Sequence, residues 1–139
     1  MELVASTEQD IEQIKQWAEQ DIDPTHRSVS PVWWITGNGI LCYKIVDSQG
    51  VTMYVRTEAD NNMLRLHTQF GPESQVSKIR VIKSLLWALP KMEVVGKQFE
   101  LTGFVFRSQS GSLIDFMTLK FGFASIGDDD YSKPFEQEG

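Results

Sequence analysis

One break decides what the middle of this chain can become. Residues 64–70 alternate, with Leu64, Leu66, Thr68 and Phe70 on one side and Arg65, His67 and Gln69 on the other. A strand with one buried face satisfies that pattern. Gly71-Pro72 stops it. Apolar residues then return at helical spacing: Ile79, Ile82, Leu85, Leu86 and Leu89 form one stripe, with Arg80 and Lys83 on the far side. A strand, a short loop and an amphipathic helix aim the helix's first N–H groups, and the positive end of its dipole, into the loop. That makes an anion site by default, although the same junction also occurs in cores that bind nothing.

The flanking sequence supplies more strands and three more helical segments. Glu2 to Ala5 reads as a short strand, and Ser6 with Gln9 fits a capping box for a helix over 7–20 carrying Ile11, Ile14, Trp17 and Ala18 on one face. Asp21 to Pro31 is polar, holds two prolines and reads as a connector, with Asp21, Asp23, His26 and Arg27 as its site-forming residues. Val32 to Thr36 reads as a strand whose Trp33 and Trp34 face opposite sides, and Gly37-Asn38-Gly39 as a turn. Ile40–Val46 and Val51–Thr57 flank Asp47-Ser48-Gln49-Gly50 as a hairpin, and Glu58 to Asn62 turns the chain into the Leu64–Phe70 strand. Pro90 is expected to end the central helix, with a second helical segment over 91–98. Phe99 to Phe106 reads as a strand, its Gly103 marking a bulge or a close backbone approach. Leu113, Ile114, Met117 and Phe121 then define a helix closed by Gly122. Phe123 to Ile126 resumes extended structure, Gly127 to Asp130 turns, Tyr131 to Phe135 follows, and the tail 136–139 is expected to be loose.

The 139 residues suggest a single domain over 1–139 with a real hydrophobic core. A net charge of -6 with no basic block argues against general nucleic-acid binding. Cys42 is the only cysteine and, with no histidine near it in sequence, reads as a buried structural thiol. One cysteine forms no internal disulfide, and His26 and His67 make no metal-ligand motif. The N-terminus lacks a signal pattern and no apolar run approaches membrane-spanning length, so a cytoplasmic protein is the simplest expectation.

The order of strand, helix, strand meander, helix, strand, helix and strand resembles the GNAT superfamily of N-acetyltransferases. Two stretches carry most of the likeness. In Phe70 to Arg80, Pro72 matches the proline that lies a few residues before the family's Q/R-x-x-G-x-G/A acetyl-coenzyme A motif, and Gln75 matches the motif's first position. Residues 112–123, S-L-I-D-F-M-T-L-K-F-G-F, look like its last helix. The resemblance implies an α/β (α+β) fold, a central, mostly antiparallel mixed sheet with helices on both faces. It also implies acetyl-CoA as the acyl donor. Lys78 and Arg80 stand where the family has glycine, and Thr118 where it often has the tyrosine that acts as acid. Such long side chains obstruct the phosphates or bring charge to them.

Two functions follow from the resemblance. The first is an N-acyltransferase acting on a small-molecule or protein amine. Gln75, Val76, Ser77, Lys78, Ile79 and Arg80 would then hold the pyrophosphate, and the edge of the Leu64–Phe70 strand would pair with the pantetheine arm. His67, then Glu73, would be the base, and Tyr131 would replace the missing acid. The second is an inactive GNAT-fold binding or assembly module of the kind some phage-encoded proteins use. Trp87, on the polar side of the central helix, would then anchor a protein partner or a second copy in a homo-oligomer.

Overall fold

The computed structural model describes residues 1–21, 24–36 and 40–137. The expected Gly37-Asn38-Gly39 turn, Asp23 and the last two residues of the tail lie outside them. Seven strands form one sheet: β1 (Glu2–Ala5), β2 (Leu41–Asp47), β3 (Gly50–Asp60), β4 (Met63–Phe70), β5 (Gly103–Arg107), β6 (Ala124–Gly127) and β7 (Asp130–Pro134), in the order β1-β2-β3-β4-β5-β7-β6. Every pairing is antiparallel except β4 with β5. The helices are α1 (Ile11–Glu19), α2 (Pro24–Ser28), α3 (Lys78–Gln98) and α4 (Gly111–Phe121). This is the expected mixed, mostly antiparallel sheet with flanking helices. The predicted hairpin over residues 40–57 is present as β2 and β3.

Alternation along β3 divides the core between the two faces. Met53 and Val55 join Ile45, Leu64, Leu66, Phe104 and Phe106 in the larger cluster, closed by Leu85, Ala88, Leu89 and Met92 of α3 and Met117 of α4. Tyr54, on the opposite side, joins Ile14 and Trp17 of α1, Trp34 and Val76. Fully burying one such large side chain stabilises by roughly 1.5–3 kcal/mol, so these two clusters hold the layers together.

Several local expectations are corrected. The helix expected over 7–20 opens as a 3-10 turn over Glu8–Asp10 that leads into α1, and that turn is capped at Thr7, not Ser6: the Thr7 N–H donates to Asp10 Oδ2 at 2.9 Å. The connector after residue 21 contains a short helix, α2. Val32 to Thr36 is not a strand. Pro31, with φ preset for a helical start, opens a 3-10 turn over Pro31–Trp34, capped by Ser30. Trp33 and Trp34 therefore pack edge to face, 5.1 Å between ring centres, rather than facing opposite sides of a sheet. Strand β3 runs on to Asp60, and the chain reverses at Asn61-Asn62, both left-handed with φ of 49° and 66°. Asparagine tolerates that conformation, so Glu58 is a strand residue rather than a turn residue.

Pro90 does not end α3. Its missing N–H deprives only Leu86 C=O of a partner, and both residues lie on the exposed side. The 91–98 segment thus belongs to α3. The buried stripe is also rotated from the expected one: Ser84, Leu85, Ala88, Leu89, Met92 and Gly96 face the sheet, while Ile79 and Leu86 are exposed. Small Ser84, Ala88 and Gly96 let the helix approach closely. A Cβ on Gly96 would stand 2.5 Å from the Phe135 ring. This rotation brings Trp87 half into the larger core, under the Lys91 ammonium 4.2 Å from its ring centre, so it is not the exposed residue expected. Residues 99–102 are not strand, because α3 ends through a left-handed Glu100 at φ 61°. The close approach expected at Gly103 is found, its Cβ position lying 2.5 Å from the Lys133 carbonyl oxygen. Cys42 is half-buried in β2. Among the described residues no helix is long and apolar enough to cross a membrane.

Candidate active site

The crossover through α3 makes β4 and β5 parallel neighbours, and they stay paired only from Met63↔Gly103 to Leu66↔Phe106. Strand β5 then ends at Arg107 and the chain turns through Ser108 into α4, while β4 continues to Phe70. The two strands part, and a cleft of about 260 Å³ opens between them. Apolar Leu66, Phe106, Leu85 and Met117 and polar His67, Thr68, Ser108 and Ser110 are among the residues that line it. A second cleft of about 460 Å³ shares Asp21, Phe70, Leu85, Ser110 and Leu113 with the first and runs outward between the starts of α3 and α4. Among the described residues, no strand pairs with the β5-facing edge of residues 67–70.

The alternation sets the face of the sheet from which His67 reaches the inner cleft. Leu64 and Leu66 enter the larger core, so Arg65, His67 and Gln69 face the other side. There His67 Nε2 lies 2.8 Å from Glu58 Oε1. A carboxylate accepts, so Nε2 carries the proton and Nδ1 is left with its lone pair. The imidazole packs edge-on against Trp33, 4.8 Å between ring centres. Burial pushes the His67 pKa below the usual histidine value; Glu58 opposes the shift, and the Arg65 and Arg56 charges add to it. His67 is therefore neutral at neutral pH, with a basic nitrogen.

The surroundings hold this pair in place. The Arg56 guanidinium lies 4.3 Å from the Trp33 ring centre, donates to the Trp33 and Thr36 carbonyls, and sits 3.8 Å from Glu58. Gln69, fully buried, donates to Asp21 Oδ2 at 3.0 Å, and His26 Nδ1 lies 2.9 Å from Gln69 Oε1 and 3.1 Å from Asp21. Asp21 and His26, expected on a connector, thus line the cleft. Sequence reasoning missed Glu58 and this Gln69 network. The signal for Glu58 was the Asn61-Asn62 pair, which marks a later turn and a longer strand. The network joins residues 43 and 48 positions apart and leaves no local pattern.

The other expected site residues are dispersed. Glu73 is exposed in the loop before α3 and pairs with Lys78 at 3.2 Å, and both border the outer cleft. Gln75 Oε1 accepts from Trp17 Nε1 at 3.0 Å, Val76 is buried in the smaller core, and Ser77 caps α3. Among the described residues, no backbone carbonyl accepts from the Lys78 and Ile79 N–H groups, as expected at a helix start. Arg80 turns away to the β2–β3 hairpin, holding Asp47 through two bonds of 2.8 Å. That pairing lowers the Asp47 pKa to about 2. Tyr131 stacks on Phe106 from the neighbouring strand and forms no part of either cleft wall. Thr118 is exposed on α4. No group of histidine, cysteine, aspartate and glutamate among the described residues could hold a metal ion.

No family model matches the chain, and no curated protein matches it in sequence. Solved structures do match in fold. The ribosomal-protein-S18-alanine N-acetyltransferase from Escherichia coli is similar with a TM-score of 0.69 at 11% identity, over 99% of this chain and 96% of that one. An acetyltransferase of the GNAT family from Staphylococcus aureus Mu50 is similar with a TM-score of 0.64 at 13% identity, over 97% and 99%. The fold is that of the GNAT acetyltransferases along essentially the whole chain.

Proposed function

We propose that a chain with this fold is an N-acyltransferase, moving an acyl group from a coenzyme A thioester to an amine. One observation carries the reading: the parallel strands part at Leu66 and Phe106, and a neutral histidine oriented by a carboxylate stands at the opening. The clefts suit such a donor. An extended arm can pair with the open β4 edge, Phe70, Leu85 and Leu113 offer it apolar walls, and the start of α3 lies at the outer end. When bound, acetyl-coenzyme A supplies the acyl group as a thioester.

The chain's own residues supply the rest. An amine reaching His67 gives up a proton to Nδ1 and attacks the thioester carbonyl carbon; the C–N bond forms, the C–S bond breaks, and the His67 imidazolium returns the proton to the leaving coenzyme A thiolate. Glu58 holds the opposite N–H, fixes the tautomer and stabilises the imidazolium that forms. Trp33, carried on a turn that Arg56 pins, limits ring rotation. Glu73, committed to Lys78 outside the inner cleft, is the weaker base candidate. Radiolabelled acetyl-coenzyme A incubated with a panel of small amines and amine-bearing peptides tests the reading. Transfer by the wild type that falls 10²–10⁴-fold in His67→Asn is expected. Acetyl transfer unaffected by that substitution removes His67 as the base, and no transfer to any amine counts against the enzyme.

A further inference from the structure

We infer that the donor is recognised by its acyl-pantetheine arm and that the nucleotide end contributes little. The inference rests on the transferase reading of the same clefts and specifies the ligand. At the outer end, where the phosphates would lie, each cationic side chain has a carboxylate beside it, Arg80 with Asp47 in a largely buried pair and Lys78 with Glu73 in an exposed one. Two cations answered by two carboxylates leave no surplus positive charge there. Gln75 is held by Trp17, Val76 is buried, and Ile79, 56% exposed, presents an apolar side chain on the first turn. What remains for a phosphate is the start of α3, a partial charge that salt screens.

The arm meets the opposite conditions. Between the strand split and the start of α3, the outer cleft is walled by Trp17, Phe70, Val76, Val81, Leu113 and Phe116. Apolar walls with an open strand edge bind an amide-bearing chain by burial and backbone pairing, neither of which depends on ionic strength. The net charge of -6 also opposes a multiply anionic nucleotide, and salt relieves that repulsion. Binding that resists salt is therefore the signature.

The test is calorimetric titration of the wild-type protein with acetyl-coenzyme A and with S-acetylpantetheine, each at about 0.05 M and about 0.5 M sodium chloride. Dissociation constants within about tenfold of each other, with acetyl-coenzyme A binding no weaker at high salt, are expected. Acetyl-coenzyme A binding more than about tenfold tighter, or lost at high salt, overturns the inference and leaves the transferase reading standing. If neither thioester binds, the transferase reading fails and the inference falls with it.

Discussion

Replacing Glu58 with glutamine tests the His67 pair without changing its shape. The amide keeps an oxygen able to accept from Nε2 and removes the charge that favours imidazolium. At about 4 Å between charge centres a full ion pair is worth roughly 4 kcal/mol at an effective dielectric near 20 and roughly 1 kcal/mol in bulk water. The side chains of His67 and Glu58 are 28% and 34% exposed, which puts this pair toward the lower figure. A loss of about 1 kcal/mol lowers proton affinity roughly fivefold. Proton NMR reads the imidazole directly, and His67→Asn assigns its signals against those of His26. Wild-type His67 is expected to titrate below the usual value near 6.5, and Glu58→Gln to titrate lower still. The acid limb of kcat/KM should move with it. A His67 that titrates at or above its wild-type value in Glu58→Gln would refute the reasoning, because the carboxylate would then not be the group supporting the charge.

The remaining predictions concern stability. Because the His67 pKa is lowered in the folded protein, the folded state binds fewer protons near pH 6 than the unfolded chain. Its contribution is complete above the unfolded value of 6.5 and is lost as pH falls through the folded value; urea melts over this range should show that limb vanish in His67→Asn. The Arg80–Asp47 pair contributes stability that is present above the ordinary aspartate value of 3.8 and is lost toward about 2; Arg80→Met should flatten the acid limb there. Gly96→Ala should destabilise by about 1–3 kcal/mol despite alanine's higher helix propensity, because its methyl meets the Phe135 ring; a gain in melting temperature would contradict that packing. Trp87→Ala should cost about 2 kcal/mol, below the roughly 3–5 kcal/mol of a fully buried aromatic, since the ring is half-buried; an unchanged melting temperature would contradict that packing.

The alternation in residues 64–70 placed β4 and the side of it that His67 faces, and the Gly71-Pro72 break placed the start of α3. Both signals are local and strong, and the hairpin and α4 with its Gly122 cap were legible for the same reason. The stripe on α3 was misjudged because hydrophobicity alone favours Ile79 and Leu86, whereas close packing against the sheet favours Ser84, Ala88 and Gly96. The exposed position of Pro90 and of Leu86, whose carbonyl loses its partner, lets α3 run through a residue that usually stops a helix. At the site, His67 was visible, but Glu58 depended on the turn lying at Asn61-Asn62 rather than at Glu58. The commitment of Arg80 to Asp47 depended on a hairpin more than 30 residues away. Contacts of that kind depend on the assembled sheet, and no spacing in the chain encodes them.

The central claim is that an acyl thioester lies where β4 and β5 part, and amide NMR tests it most directly. On titrating acetyl-coenzyme A into ¹⁵N-labelled protein, the account predicts saturable shifts at Thr68, Gln69 and Phe70 on the open strand edge and at Ser108, Ser110 and Leu113 across the cleft, with β1, β6 and the C-terminal turns of α3 unchanged. Saturable shifts confined to other surfaces, or a spectrum unchanged by the ligand, would contradict it.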